Sequence, residues 1–155
     1  MTKRRKLMLM DNLTDERIAR LTPDQRDYFL RVMKAARRLI WRRKNWCQGF
    51  MRLSDGNGEH VQRCAMGAFN QAMSDITWPC SMPSPPMLAL LTRYCGAMYD
   101  RDVVSVNDYD RVRPHLAHRQ IMRLFTGLIR MLEPPAPPLA DDTVVLELER
   151  SKEDA

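Results

Sequence analysis

The sequence predicts a mainly α-helical fold, a compact bundle of about four helices with a small β-hairpin after the first long helix. Several long segments carry apolar residues at spacings of three and four, which is typical of a helix with one buried face. A dense turn signal at residues 54–58 separates two short segments that fit paired strands. The chain has 155 residues, of which 45% are hydrophobic, and this size favours one domain with a single core.

The first long helix is predicted to begin after Thr22, a residue type that caps helix N-termini. Pro23 suits the first helical position, and Gln25 stands where a capping box requires Glu or Gln. Basic residues gather near the far end, where they favour the helix dipole. The apolar face of this helix is predicted to contain Tyr28, Phe29, Val32, Met33, Ala36, Leu39 and Ile40.

A short hairpin and a second helix are expected next. The turn predicts that residues 48–53 pair with residues 59–62, and the second helix is expected over residues 62–74. Gly67 lies inside this helix, where Gly costs about 1 kcal/mol relative to Ala. Its small neighbours indicate that another backbone passes close to Gly67, and we expect a close helix contact there.

The second half of the chain predicts two further helices. A loop with four Pro occupies residues 77–86, and Ser84 is a candidate cap for the third helix. Residues 103–106 form a candidate short strand because three of the four are Val. The last helix is expected from residues 113–114 to Glu133, where a Pro-rich segment ends it.

Charge divides the chain into three parts. We expect a basic N-terminal arm at residues 1–13, one helical domain at residues 14–133, and a largely disordered, Pro-rich acidic tail at residues 134–155. The net charge of +6 combines −4 in the tail with +10 in the rest. The tail could shield the basic part of the same chain, and the alternative is that it is simply solvated.

Three classes of protein are disfavoured by the sequence, namely membrane proteins, zinc ribbons and secreted proteins. No apolar segment approaches the roughly 20 residues that span a bilayer, so no membrane partner is expected. None of the four Cys forms a CxxC pair, which argues against a zinc ribbon. The start of the chain lacks the apolar segment of a signal peptide, and we therefore expect a cytoplasmic protein with reduced thiols.

A basic stripe is the strongest functional candidate. Arg31, Lys34, Arg38 and Arg42 follow one another at steps of three, four and four, and Arg43 lies beside them. Such a surface is typical of a protein that binds an acidic protein partner or nucleic acid. A solvated face with salt bridges is the alternative. The chain carries no known nucleic-acid-binding motif, so neither partner is favoured, and the oligomeric state is left open.

Three short motifs are spaced along the chain, namely Trp46-Cys47-Gln48-Gly49, Cys64-Ala65-Met66-Gly67-Ala68 and Asn107-Asp108. The pattern Trp-Cys-x-Gly, Cys-Ala-x-Gly-Ala and Asn-Asp resembles that of a family of small bacterial and phage proteins, over residues 28–133. The resemblance implies the same helical arrangement and implies no reaction, because the family has no established activity. We interpret Trp46, Cys47, Gly49, Cys64, Gly67, Asn107 and Asp108 as structural residues.

Cys47 also allows an enzymatic interpretation. A cysteine-dependent hydrolase or transferase would use Cys47 as nucleophile, His115 as base and Asp108 to orient the base. His60 and His118 are the other candidate bases. The basic residues that precede Cys47, which are Arg42, Arg43 and Lys44, would lower the pKa of its thiol. His115 and His118 lack the HExxH pattern, so we expect no metal and no cofactor. We favour a non-enzymatic accessory or regulatory protein.

Overall fold

The computed structural model describes residues 18–55, 57, 60–78 and 87–134. It confirms a mainly helical fold with a two-stranded antiparallel hairpin after the first helix. The elements are α1 (Pro23–Leu39), a 3-10 turn (Arg43–Asn45), β1 (Arg52–Ser54), β2 (Val61–Arg63), α2 (Ala65–Asp75), α3 (Met87–Tyr99), α4 (Val103–Asn107) and α5 (Pro114–Leu132). The basic arm at 1–13, the cap at Ser84 and the tail beyond residue 134 lie outside the described residues.

The predicted start of α1 is confirmed in atomic detail. The backbone N–H of Gln25 donates to the Thr22 hydroxyl at 3.2 Å, and the backbone N–H of Thr22 donates to the Gln25 side chain at 3.1 Å. This reciprocal pair satisfies two donors that would otherwise lack partners at the helix end. The buried side chains of α1 are Tyr28, Phe29, Val32, Met33 and Ala36.

Helix α1 lies at the centre of the core and packs against both α2 and α5. Its N-terminal turn is also tied to the C-terminus of α5 by the Arg26 side chain, which donates to the carbonyl oxygens of Met131, Leu132 and Glu133 at 2.8–3.2 Å. A cation at a helix C-terminus is stabilised by the carbonyl groups that end there. Arg26 therefore holds the fold together and does not belong to the open basic surface.

The hairpin is shorter than predicted, with strands at Arg52–Ser54 and Val61–Arg63. The observed pairs are Arg52 with Arg63, Leu53 with Gln62, and Ser54 with Val61. The prediction that residues 48–51 belong to the first strand is wrong. Their backbone turns away at Gly49, whose φ of +75° is unsuited to a strand.

The strand predicted at residues 103–106 is wrong, because this segment is the short helix α4. Asp102 caps it, with the Ser105 N–H donating to its carboxylate at 2.8 Å. Val103 and Val106 are both buried on one side, which matches helical spacing rather than strand alternation. The cap and this burial outweigh the β-propensity of Val, which is a weak and context-dependent preference.

The predicted start of α2 at residue 62 is wrong by three residues, since the helix begins at Ala65. Residues 61–63 pair with β1, so the chain cannot become helical before Cys64.

Among the described residues, no helix combines the length and apolar character needed to cross a bilayer.

Candidate functional site

Asn107 lies at the centre of a buried hydrogen-bond cluster at the end of α4. We call this cluster, which also contains Trp46, Cys47, Ala65 and Asp108, the joint. Its side chain is 2% exposed. The amide oxygen accepts from the Trp46 indole N–H at 2.7 Å and from the Ala65 backbone N–H at 3.1 Å. The amide nitrogen donates to the Cys47 carbonyl at 3.1 Å and to the Asp108 carboxylate at 2.8 Å. Every donor and acceptor of this side chain is therefore used.

The third motif also binds the first through two further contacts. The Gln48 side-chain amide donates to the Asn107 backbone carbonyl at 2.8 Å, and the Gly49 N–H donates to the Asp108 carboxylate at 3.0 Å. The left-handed backbone of Gly49 presents this N–H to Asp108, in a conformation that residues with a Cβ rarely adopt. Trp-Cys-x-Gly and Asn-Asp thus meet although about 60 residues separate them.

The second motif joins the same structure at the start of α2. Cys64 is the N-cap residue, and its sulfur accepts from the Gly67 N–H at 3.3 Å. A Cβ on Gly67 would overlap the Met51 carbonyl oxygen and would lie 2.8 Å from the Met51 carbonyl carbon. The predicted close approach of a backbone to Gly67 is confirmed, but the neighbour is the segment before β1 and not another helix.

The environment of Cys47 holds its thiol in the neutral form. Its side chain is 6% exposed, and its sulfur donates to the Phe50 carbonyl at 3.2 Å. Burial raises the pKa of the Cys47 thiol to about 11, with smaller contributions from Cys64 and Asp108. The expected lowering of this pKa by the neighbouring bases is therefore wrong, because desolvation dominates.

The candidate catalytic partners do not assemble around Cys47. His118 packs its ring against Trp46 at 5.2 Å, and its Nε2 lies 2.8 Å from the Ile40 carbonyl oxygen. His115 is exposed in the first turn of α5. The Asp108 carboxylate accepts hydrogen bonds from the Gly49 N–H and the Asn107 side-chain amide. Within the part of the chain that the structure describes, no hydrogen bond links a His to Cys47, and no group of three His, Cys, Asp or Glu could hold a metal ion.

We expect native Cys47 to resist alkylation. A pKa of about 11 leaves roughly one thiol in three thousand ionised at pH 7.5, and burial limits access further. Iodoacetamide at pH 7.5 should therefore modify Cys47 at least about 100-fold more slowly in the folded protein than in urea, as read by peptide mass spectrometry. Rapid modification of the folded protein would contradict the structural interpretation of Cys47.

An apolar pocket of about 370 Å³ opens beside the joint. Three of the residues that line it, Phe50, Met51 and Val104, are more than half exposed. Asp108 and Asn107 also line the pocket, but their side chains are engaged in the hydrogen bonds of the joint. The pocket is thus apolar in character and contains little free hydrogen-bonding capacity.

The basic stripe is only partly free. Arg31 forms an ion pair with Asp27 at 2.9 Å on α1, and Lys34 forms one with Glu133 at 3.1 Å at the end of α5. Both ion pairs lie on the exposed surface, so their acids would compete with a ligand for Arg31 and Lys34. Arg38 and Arg42 form no ion pair with any described residue, and Glu133, which lines the same groove, is paired with Lys34.

Two grooves meet at Arg38 and Arg42. One has a volume of about 560 Å³ and lies between the C-terminal half of α1 and the end of α5. The other, of about 530 Å³, lies between α1 and the hairpin. Arg43 stands beside them in the 3-10 turn. We call the six cations that line the two grooves the basic face, and they are Lys34, Arg37, Arg38, Arg42, Lys44 and Arg63.

Trp41 belongs to this surface, although the helical spacing of the sequence did not single it out. It follows the end of α1, its side chain is 57% exposed, and it lines the larger groove. The Arg37 guanidinium lies over the indole ring at 4.4 Å from its centroid. One sequence signal could have identified Trp41. It is a large aromatic residue that lies outside the apolar stripe of α1 and among five Arg and Lys residues.

Together, the fold and the joint define a small helical protein whose three motifs hold a hairpin and two helix ends in place. The chain belongs to the family of unknown function DUF6197, whose model matches residues 26–130. The matched range contains all three motifs and the whole basic face. Comparisons with curated proteins and with solved structures found no match.

Proposed function

We propose that this protein is a non-enzymatic accessory or regulatory protein that binds a polyanion, an acidic protein or a nucleic acid, through the basic face. The observation that carries the proposal is the position of Arg38 and Arg42. Both side chains are exposed, and both line two adjoining grooves without an ion-pair partner among the described residues. Unpaired cations on a concave surface concentrate anionic ligands there.

The charge of the two grooves supports the same proposal. Among the described residues that line them, six are Lys or Arg and one, Glu133, is acidic. Glu133 is already paired with Lys34. An anionic ligand would therefore meet a strongly positive surface, and its binding would weaken as salt is added.

The enzymatic alternative receives less support. A cysteine nucleophile needs a thiolate and a base within hydrogen-bond reach. Cys47 is buried with a raised pKa, and its sulfur donates to a backbone carbonyl. Asp108 is committed to Gly49 and Asn107. These contacts favour a structural role for both residues.

We also propose that the protein resides in the cytoplasm. Cys47, Cys64 and Cys95 are free thiols in the structure, and free buried thiols suit a reducing compartment.

The test compares two charge-reversed variants of equal net charge. Arg38→Glu/Arg42→Glu removes the shared cations, while the control Arg93→Glu/Arg101→Glu alters two exposed bases away from the grooves. Fluorescence anisotropy would measure the binding of a labelled 20-residue poly-glutamate peptide and a labelled 20-nucleotide oligothymidylate near 150 mM salt, where the screening length is about 8 Å.

We expect the native protein to bind at least one probe, and Arg38→Glu/Arg42→Glu to bind it at least about tenfold more weakly. The control should stay close to the native affinity, and circular dichroism should show both variants folded. Retained binding by the folded Arg38→Glu/Arg42→Glu variant, or equal loss in the control, would show that the basic face is only a solvated surface.

A further inference from the structure

We infer that the anionic partner of the basic face is a single-stranded nucleic acid, with a base stacked on Trp41 and phosphates held in the two grooves. The inference rests on the proposed function, because it names the ligand class for the same surface. Its first observation is an aromatic ring among cations. Trp41 is 57% exposed and lines the same groove as Lys34, Arg37 and Arg38.

An exposed indole surrounded by Arg and Lys side chains is the combination that binds single-stranded nucleic acids. Base stacking on aromatic side chains tolerates any sequence, since every base has a π face, and neighbouring cations neutralise the phosphates. Trp41 is held in place by the Arg37 guanidinium over its ring. A stacked aromatic–Arg platform of this kind is oriented before a ligand arrives, which lowers the entropy cost of binding.

The unpaired Nε of Arg37 is the second observation, and it indicates an anionic ligand. This nitrogen is buried and has no hydrogen-bond partner among the described residues. An unpaired buried N–H is unfavourable, so an acceptor gains more there than at a solvated arginine. A phosphate oxygen in the larger groove would place an acceptor beside the Arg37 guanidinium while that group stays over the Trp41 ring.

The two grooves give the strand a path. They share Arg38, Arg42 and Asn45, so a chain that leaves one groove enters the other past two unpaired cations. Each groove, at about 560 and 530 Å³, has the volume of an ordinary ligand site. Lys44 and Arg63 continue the positive charge along the smaller groove.

The same features disfavour the other polyanions. Bases in a duplex are stacked on each other and cannot cover Trp41, whereas an unpaired strand leaves its bases free. A poly-glutamate segment would use the cations of the basic face and would gain nothing from the indole. The contribution of Trp41 therefore separates a single strand from both a duplex and an acidic protein.

The experiment measures the affinity of the full-length protein for three labelled probes near 150 mM salt. They are the 20-nucleotide oligothymidylate, its duplex with oligodeoxyadenylate, and the 20-residue poly-glutamate. The variants are Trp41→Ala and Trp41→Phe. The control is Tyr109→Ala, because Tyr109 is 50% exposed and also has an arginine, Arg101, over its ring, yet lies outside the grooves.

We expect the oligothymidylate to bind more tightly than the duplex or poly-glutamate. Trp41→Ala should weaken oligothymidylate binding by about 5- to 150-fold, the effect of one lost base stack, and Trp41→Phe should recover part of the loss. Poly-glutamate binding should be unchanged by Trp41→Ala, and Tyr109→Ala should behave as the native protein.

Equal affinity for poly-glutamate and oligothymidylate, or oligothymidylate binding that Trp41→Ala leaves intact, would overturn the single-strand assignment. If Arg38→Glu/Arg42→Glu then still abolished binding, the proposed function would stand, and whichever of the duplex and poly-glutamate bound more tightly would indicate the class of the partner. If the native protein bound none of the three probes, both the proposed function and this inference would fail.

Discussion

Replacing Asn107 with Ala is expected to lower the free energy of unfolding by roughly 3–6 kcal/mol, because it leaves several buried polar groups without partners. The Trp46 indole N–H, the Ala65 N–H and the Cys47 carbonyl all bond to this side chain in a site that is nearly closed to water. Each orphaned group costs about 1–3 kcal/mol, and relaxation around the smaller Ala side chain keeps the expected total in the lower part of the summed range. Urea denaturation followed by circular dichroism would measure the loss.

The matched control for this change is Asn70→Ala. Asn70 is exposed on α2, and surface changes usually stay within about 0.5 kcal/mol. A loss below about 1 kcal/mol for Asn107→Ala would show that water replaces the amide and that the joint contributes little.

Asn107→Asp adds a pH signature. The new carboxyl group would be buried beside the Asp108 carboxylate and the Cys47 carbonyl, and we expect these effects to outweigh the N–H donors of Trp46 and Ala65 and to raise its folded-state pKa above the unfolded value of about 4. Folding then favours the protonated form, so the stability deficit relative to the native protein should grow as pH rises above about 4 and shrink below it. A deficit that is equal at pH 4 and pH 7 would contradict this arrangement.

Gly67→Ala is the second change with a large expected effect, at least about 3 kcal/mol of lost stability. The added Cβ would overlap the Met51 carbonyl oxygen, and a backbone group cannot rotate away as a side chain can. The gain of about 1 kcal/mol in helix propensity does not offset this overlap. The Met51 carbonyl also accepts from the Cys64 N–H at 3.4 Å, so moving it disturbs the start of α2.

Gly96→Ala is the control for Gly67→Ala. Gly96 also lies inside a helix, α3, and no described atom outside that helix's own backbone lies within 4 Å of where its added Cβ would stand. This control should leave stability unchanged or raise it by up to about 1 kcal/mol. An unchanged or higher melting temperature for Gly67→Ala would rule out the close contact with Met51.

Local signals made most of the helices predictable. The cap at Thr22 and the apolar stripe of α1 are each encoded within a few residues, and the structure confirms both. The strand predicted at 103–106 is wrong because its helical state depends on the Asp102 cap and on burial of two Val side chains against other elements. The turn at Gly49, which removes residues 48–51 from the predicted strand, is braced by a hydrogen bond to Asp108 from far along the chain.

The candidate site was less predictable because its contacts join residues that lie far apart in the sequence. Each motif could be recognised as a unit, but a short pattern gives no sign that the Asn107 amide connects all three. The ion pair of Lys34 with Glu133 likewise joins α1 to the end of α5, so a count of nearby acids could not reveal it. Trp41 lies just beyond the last turn of α1, where helical spacing no longer indicates which way a side chain points.

A titration of the ¹⁵N-labelled protein with oligothymidylate, followed by two-dimensional NMR, tests most directly whether ligands bind at the basic face. We expect the Trp41 indole signal and the amides of residues 37–45 and 60–63 to shift. The Trp46 indole, which bonds to Asn107 inside the joint, should stay in place. Shifts confined to Phe50 and the apolar pocket beside the joint, with Trp41 unmoved, would contradict binding at the basic face.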